Sequence, residues 1–168
     1  MNCGNVIKLI VSIVATFAAG GIGSLFTFKA VPTWYQKLRK PPYTPPNRLF
    51  GPVWTILYIL MGISVFLVWR EGLATSSVMI AFILFWVQLV FNALWSVVFF
   101  GVKSKGGGII IIIVLWILIM ITIINSFRVS VWAGSLLIPY IVWVSIAAYL
   151  NIGIWALNKS NISATDTK

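Results

Sequence analysis

The sequence predicts an all-α integral membrane protein, a bundle of five transmembrane helices. Three observations carry that reading. The 168 residues are 61% hydrophobic and 8% charged, where an ordinary soluble domain is roughly 45–50% apolar and about 25% charged. The charged residues leave five uncharged stretches, 9–28, 49–69, 72–102, 106–127 and 129–158. Each is long enough for the roughly 20 residues a helix needs to cross about 30 Å of hydrocarbon. None alternates with the period of a barrel strand. Lipid offers backbone groups no partners, so helices that satisfy them internally are the economical solution.

The helices are expected near 6–28, 50–69, 78–101, 108–126 and 134–157, one membrane domain over 1–168 with no room for a separate soluble one. The first span has a competing reading as a secretory signal, because Lys8 precedes an apolar run reaching small residues at Ala18, Ala19 and Gly20. That run continues through Ile22, Leu25, Phe26 and Phe28, longer than a signal core, and so favours a span. Ala19 with Gly23, and Gly20 with Ser24, are spaced four apart. They are either a surface for close helix approach or the ordinary glycine content of membrane helices.

Residues 29–48 hold five of the seven prolines, Trp34, Tyr35, Tyr43 and five basic residues. Proline stiffens the backbone and aromatics can pack, so an ordered lid is expected; a segment lying among lipid headgroups is the other reading. Pro52 suits the first turn of the second helix, in which Phe50, Trp54, Tyr58 and Met61 share a face. In the third span Gln88 and Asn92 lie one turn apart, with Trp95 and Phe99 continuing their stripe. Amides cannot face lipid, so the stripe lines a helix contact or a cavity. In the fifth span Pro139, Trp143, Ala147 and Asn151 recur every four residues, a backbone break, an indole, a small residue and an amide on one stripe. The three faces are either packing or the walls of a pocket under the lid. Trp69, Trp132 and Trp155 sit near span ends as interface anchors, and residues 158–168 read as a frayed polar tail.

Five spans put the chain ends on opposite faces of the membrane. Lys29, Lys37, Arg39, Lys40, Arg48, Lys103, Lys105, Lys159 and Lys168 fall on one side, and Lys8, Arg70 and Arg128 on the other. The excess marks the cytoplasmic face, so the N-terminus is expected outside, and the first loop and C-terminus inside. Anionic headgroups explain the net charge of +10, and no nucleic-acid motif accompanies it. With no His, only Glu71 and Asp166 as acids, and Cys3 as the one thiol, the chain lacks the side chains for metal sites, Ser/His/Asp triads, carboxylate-pair hydrolysis or a CxxC redox pair. All twelve basic and both acidic residues lie outside the helix centres, which favours binding over coupled transport.

Trp34-Tyr35, Leu38, Lys40-Pro41-Pro42-Tyr43, Pro45-Pro46, Phe50-Gly51-Pro52-Val53-Trp54, Leu57-Tyr58 and Met61-Gly62 form a specific pattern. Asn92, Leu94-Trp95-Ser96, Phe99-Phe100-Gly101, Pro139-Tyr140, Trp143, Ala147 and Leu150-Asn151 extend it through the later spans. The pattern resembles the TspO/MBR family, the bacterial tryptophan-rich sensory proteins and the mitochondrial translocator protein or peripheral-type benzodiazepine receptor. The resemblance implies a five-helix protein, often a homodimer, whose pocket beneath the first loop binds protoporphyrin IX and isoquinoline or benzodiazepine drugs. It implies pocket positions at Tyr35, Pro45, Trp54, Asn92, Trp95, Trp143 and Ala147. Gln88 joins them from its place on the Asn92 stripe. Trp54 and Trp143 match tryptophans linked to light- and oxygen-dependent porphyrin breakdown in bacterial members.

The expected function is therefore tetrapyrrole binding as a sensor, scavenger or carrier in a bacterial cell membrane. A photo-oxidative porphyrin-degrading enzyme and a lipid-binding scaffold are the alternatives. No cofactor is expected to be required, and no metal site. The sterol-recognition pattern of animal members is broken, because Tyr149 meets no cation until Lys159, so cholesterol is not an expected ligand. Porphyrin carboxylates are expected at Lys37, Arg39, Lys40 or Arg48, and aromatic walls at Trp54, Trp143 and Tyr35. Without His, haem iron has only Tyr or Met as an axial ligand, which favours metal-free tetrapyrrole.

Overall fold

A computed structural model describes residues 3–159. Five helices are long and apolar enough to cross a membrane. Helix α1 spans Cys3–Ala30, α2 Phe50–Arg70, α3 Ser76–Ser96 and α4 Lys105–Val129. The fifth span is divided into a short α5, Val131–Ser135, and α6, Ile138–Leu157. The sequence reading ran that helix unbroken from 134. Instead Pro139 lies in the first turn of α6, where its missing N–H costs nothing, so it starts a helix rather than breaking one.

α3 ends in a wider π-type turn, Val97–Gly101. Phe99 and Phe100 are adjacent, yet both are buried, and the extra residue per turn lets both rings point inward. Ser104 then caps α4, its Oγ accepting from the Gly107 N–H at 3.2 Å.

α1 packs against α2 and α3, and α4 against α3 and α6, while α2 and α6 meet more sparsely. Met61, Val65, Phe85, Ile112, Leu115, Ile119, Tyr140 and Val144 fill the centre. The small residues of α1 serve contacts within the chain. Gly20 lies under the Tyr58 ring, Gly23 meets Ser96, and Ile13 meets Gly62. Thr16 Oγ1 donates to the Tyr58 carbonyl at 3.1 Å. Side-chain hydroxyls bonding backbone across helices are a common device in hydrocarbon.

The loop between α1 and α2 folds over one end of the bundle and is fastened to α6. Pro41 is buried against Gly153, and Tyr149 Oη donates to the Pro42 carbonyl at 2.9 Å. Asn158 Oδ1 accepts from the Arg39 N–H at 3.1 Å, and its Nδ2 donates to the Arg39 carbonyl at 2.9 Å. Asn158, assigned to a frayed tail by its polarity, is thus buried and structural; residues 160–168 of that tail lie outside the described residues. At the opposite end Lys8 Nζ donates to the Trp69 carbonyl at 3.3 Å, joining the start of α1 to the end of α2. Of the expected anchors, Trp132 is exposed and Trp155 carries Lys159 Nζ over its ring at 4.5 Å.

Candidate functional site

Helices α1 and α2 touch closely up to Gly20 and Tyr58, then part. Beyond Gly20, α1 leans on α3 instead, with Gly23 at Ser96 and the Phe26 ring at Gly101. A cavity of about 520 Å³ opens between α1 and α2, within the roughly 300–1,000 Å³ of small-molecule sites. Phe17 and Tyr58 lie at its floor, Trp95 and Ser96 of α3 and Phe100 of the π-type turn behind it, and Val31, Pro32 and Asn47 at its loop end. α1 contributes Gly21, Ser24 and Phe28, and α2 contributes Phe50, Gly51, Trp54 and Thr55. The hydroxyls of Ser24, Thr27 and Thr55 bond to carbonyls of their own helices, so the walls are mainly apolar.

The α2 stripe read from sequence is one wall of this cavity, since Phe50, Trp54 and Tyr58 all line it. Trp54 stacks on Tyr58 with ring centres 5.5 Å apart and meets Tyr140 at 6.3 Å. Offset and edge contacts of this kind hold aromatic rings in fixed orientations. Trp95 lines the back of the cavity, oriented by its Nε1 bond to Asn151 Oδ1 at 3.1 Å and by stacking on Phe99 at 5.8 Å.

Gln88 and Asn92 lie deeper, in a buried network. Tyr58 Oη donates to Asn92 Oδ1 at 2.9 Å, Asn92 Nδ2 donates to Tyr140 Oη at 3.0 Å, and Tyr140 Oη donates to Gln88 Oε1 at 2.9 Å. Gln88 and Asn92 therefore form a contact between α2, α3 and α6, while Trp95 of the same stripe lines the cavity. Gln88 Nε2 has no hydrogen-bond partner among the described residues.

Tyr35, Pro45, Trp143 and Ala147 also stand apart from the cavity. Tyr35 is buried among Phe50, Phe99 and Phe100; burial pushes its phenol up to about 12. Pro45 is a half-buried loop residue, and Ala147 packs in the core. Trp143 meets the far side of Phe50 at 5.7 Å and lines a shallow depression between α2 and α6 with Val53 and Pro139. Phe50 thus separates Trp143 from the cavity, and the Trp143 Nε1 is buried with no hydrogen-bond partner among the described residues.

Three basic residues of the loop region can be placed against the cavity or the loop aromatics. Lys40 lies over the Tyr35 ring at 4.9 Å and donates to the carbonyls of Gln36 and Leu38. Arg48 follows Asn47, a cavity residue, and Lys29 follows Phe28, another. Most of the lining that sequence reasoning missed lies on α1, with Gly51, Thr55, Ser96 and Phe100 beside it. The glycines of α1 were visible, but they serve helix packing and cavity lining alike, and spacing does not tell the two apart.

Fold and site define a five-helix integral membrane protein with an apolar, aromatic-walled cavity beside a fastened proline-rich loop. Residues 12–156 match the TspO/MBR family. The tryptophan-rich protein TspO of Archaeoglobus fulgidus is 44% identical over 154 residues, 92% of this chain and 99% of that protein. The protein of the same name from Chlorobaculum tepidum is 42% identical over 153 residues, 91% and 97% of the two chains. The translocator protein of Homo sapiens is 33% identical over 138 residues, 82% of each. The chain belongs to the TspO/MBR family.

Proposed function

We propose that this protein binds a tetrapyrrole, metal-free protoporphyrin IX, in the cavity between α1, α2 and α3, and acts as a sensor, scavenger or carrier. The observation that carries the reading is the cavity itself: about 520 Å³ of mainly apolar space walled by the indoles of Trp54 and Trp95. A flat apolar disc with carboxylates on one edge suits such a space, its body against aromatic faces and its acidic edge at the loop end. There Lys29 and Arg48 adjoin lining residues and supply the opposite charge. The same lining suits isoquinoline and benzodiazepine drugs, which the family resemblance also brings, along with a homodimer.

The charge asymmetry supports a bacterial cell membrane orientation with the N-terminus outside and the first loop and C-terminus cytoplasmic. Space beside the filled aromatic region under the loop favours binding over a scaffold plugged by its own side chains.

The test is a dark titration of purified protein in nanodiscs, read by the absorbance shift of protoporphyrin IX. Saturable binding that Trp54→Ala weakens by about tenfold, the effect expected for loss of a stacking wall, and that Trp143→Ala leaves near the parent value supports the reading. Absence of saturable binding, or equal loss in both variants, contradicts it.

A further inference from the structure

We propose that the cavity loads sideways from the bilayer, through the gap between α1 and α2, and that Gly21 and Gly51 set the size of the ligand admitted. This rests on the tetrapyrrole-binding reading of the same cavity.

The rim of the cavity is exposed at Phe17, Gly21 and Phe28 of α1 and at Gly51 and Thr55 of α2. All five belong to membrane-spanning helices, so the surface on which this rim opens is in contact with lipid. The loop is fastened on its α6 side, away from the cavity's loop end, where Pro32 and Asn47 are exposed. Pro41 sits against Gly153, Asn158 holds both backbone groups of Arg39, and Tyr35 is buried among three phenylalanines.

The glycines separate into two kinds. A Cβ on Gly20 or Gly23 would collide with Tyr58 or Ser96, so helix packing requires those two. A Cβ on Gly21 or Gly51 would meet nothing within 4 Å. Packing does not require glycine at either position, yet both line the cavity and both lie on its rim. Their missing side chains widen the gap from its two sides.

A ligand suited to this route partitions into the bilayer with its acidic edge at the headgroups. A planar porphyrin does so: its disc slides between the helices while its carboxylates stay at the level of Val31, Pro32 and Asn47, near Lys29 and Arg48. No part of the apolar body crosses water.

The experiment measures protoporphyrin IX binding to protein in nanodiscs for the parent, Gly21→Ala, Gly21→Leu and Gly51→Leu. Alongside is a lid-locked protein, Pro41→Cys/Gly153→Cys in a Cys3→Ser background. A Cβ on Gly153 would lie 2.8 Å from Pro41 Cβ, so a small separation reaches the roughly 3.5–4.5 Å spacing of a disulfide. The expected result is affinity falling with side-chain size at position 21, by about tenfold or more for leucine, with thermal unfolding no lower than the parent's. The oxidised lid-locked protein should load at the parent rate within about twofold. Loading that stops on oxidation and returns on reduction would overturn the lateral route, as would parent affinity in Gly21→Leu and Gly51→Leu. Those results leave the binding site standing, whereas a parent that binds no porphyrin overturns the site and the route together.

Discussion

Asn158 holds Arg39 by both backbone groups, accepting its N–H at 3.1 Å and donating to its carbonyl at 2.9 Å across 119 residues of sequence. This pairing copies one step of a β ladder with a side-chain amide and fastens the loop to the end of α6. Asn158→Ala removes both bonds and should cost about 1–3 kcal/mol of local stability. Hydrogen exchange at the Arg39 amide should quicken while the helix interiors keep their protection. Unchanged exchange would show that Pro41 and Tyr149 hold the loop alone.

Asn92 joins two buried tyrosine hydroxyls. Asn92→Ala leaves Tyr58 Oη without its acceptor and Tyr140 Oη without a donor, and unfolding in denaturing detergent should show a loss of about 1–2 kcal/mol. Gln88→Leu should cost less, because Gln88 takes part through Oε1 alone and its Nε2 is already unpartnered.

The glycines of α1 give opposite outcomes one residue apart. Gly20→Ala drives a methyl group into the Tyr58 ring and should lower stability by about 1–3 kcal/mol. Gly21→Ala meets no atom within 4 Å and should be neutral or stabilising by up to about 1 kcal/mol, as alanine is in a helix interior. Thermal unfolding in one detergent distinguishes them; equal melting temperatures would contradict the described crossing of α1 over α2.

Trp54 and Trp143, the positions that the family resemblance ties to porphyrin breakdown, are not equivalent here. Trp54 faces the cavity, and Trp143 lies behind Phe50. Under light and air, Trp54→Phe should reduce loss of the porphyrin spectrum to the protein-free rate, and Trp143→Phe should keep the parent rate. Equal rates in parent and both variants would leave binding as the whole function.

The five spans were legible because hydrocarbon excludes charge, and charge is visible residue by residue. The division of the fifth span was not: Pro139 signals a backbone event, but spacing does not distinguish a proline that opens a helix from one that breaks it. Nor does composition mark the π-type turn at Val97–Gly101, which exists to bury two adjacent rings. In the site, the face of Phe50, Trp54 and Tyr58 was readable from helical period. The Gln88–Asn92 stripe had two physical readings, and the hydrogen bonds to Tyr58 and Tyr140 place it in a helix contact. Asn158 was lost in a polar run because its partner lies 119 residues away.

The location of the ligand is tested most directly by photo-crosslinking. Benzoylphenylalanine replaces Phe28, on the cavity rim, or Val142, on the exposed face of α6 beside Trp143. The cavity assignment predicts a saturable protoporphyrin adduct at position 28 that excess ligand suppresses, and none at 142. A saturable adduct at 142 with none at 28 would contradict it and move the ligand to the depression beside Trp143.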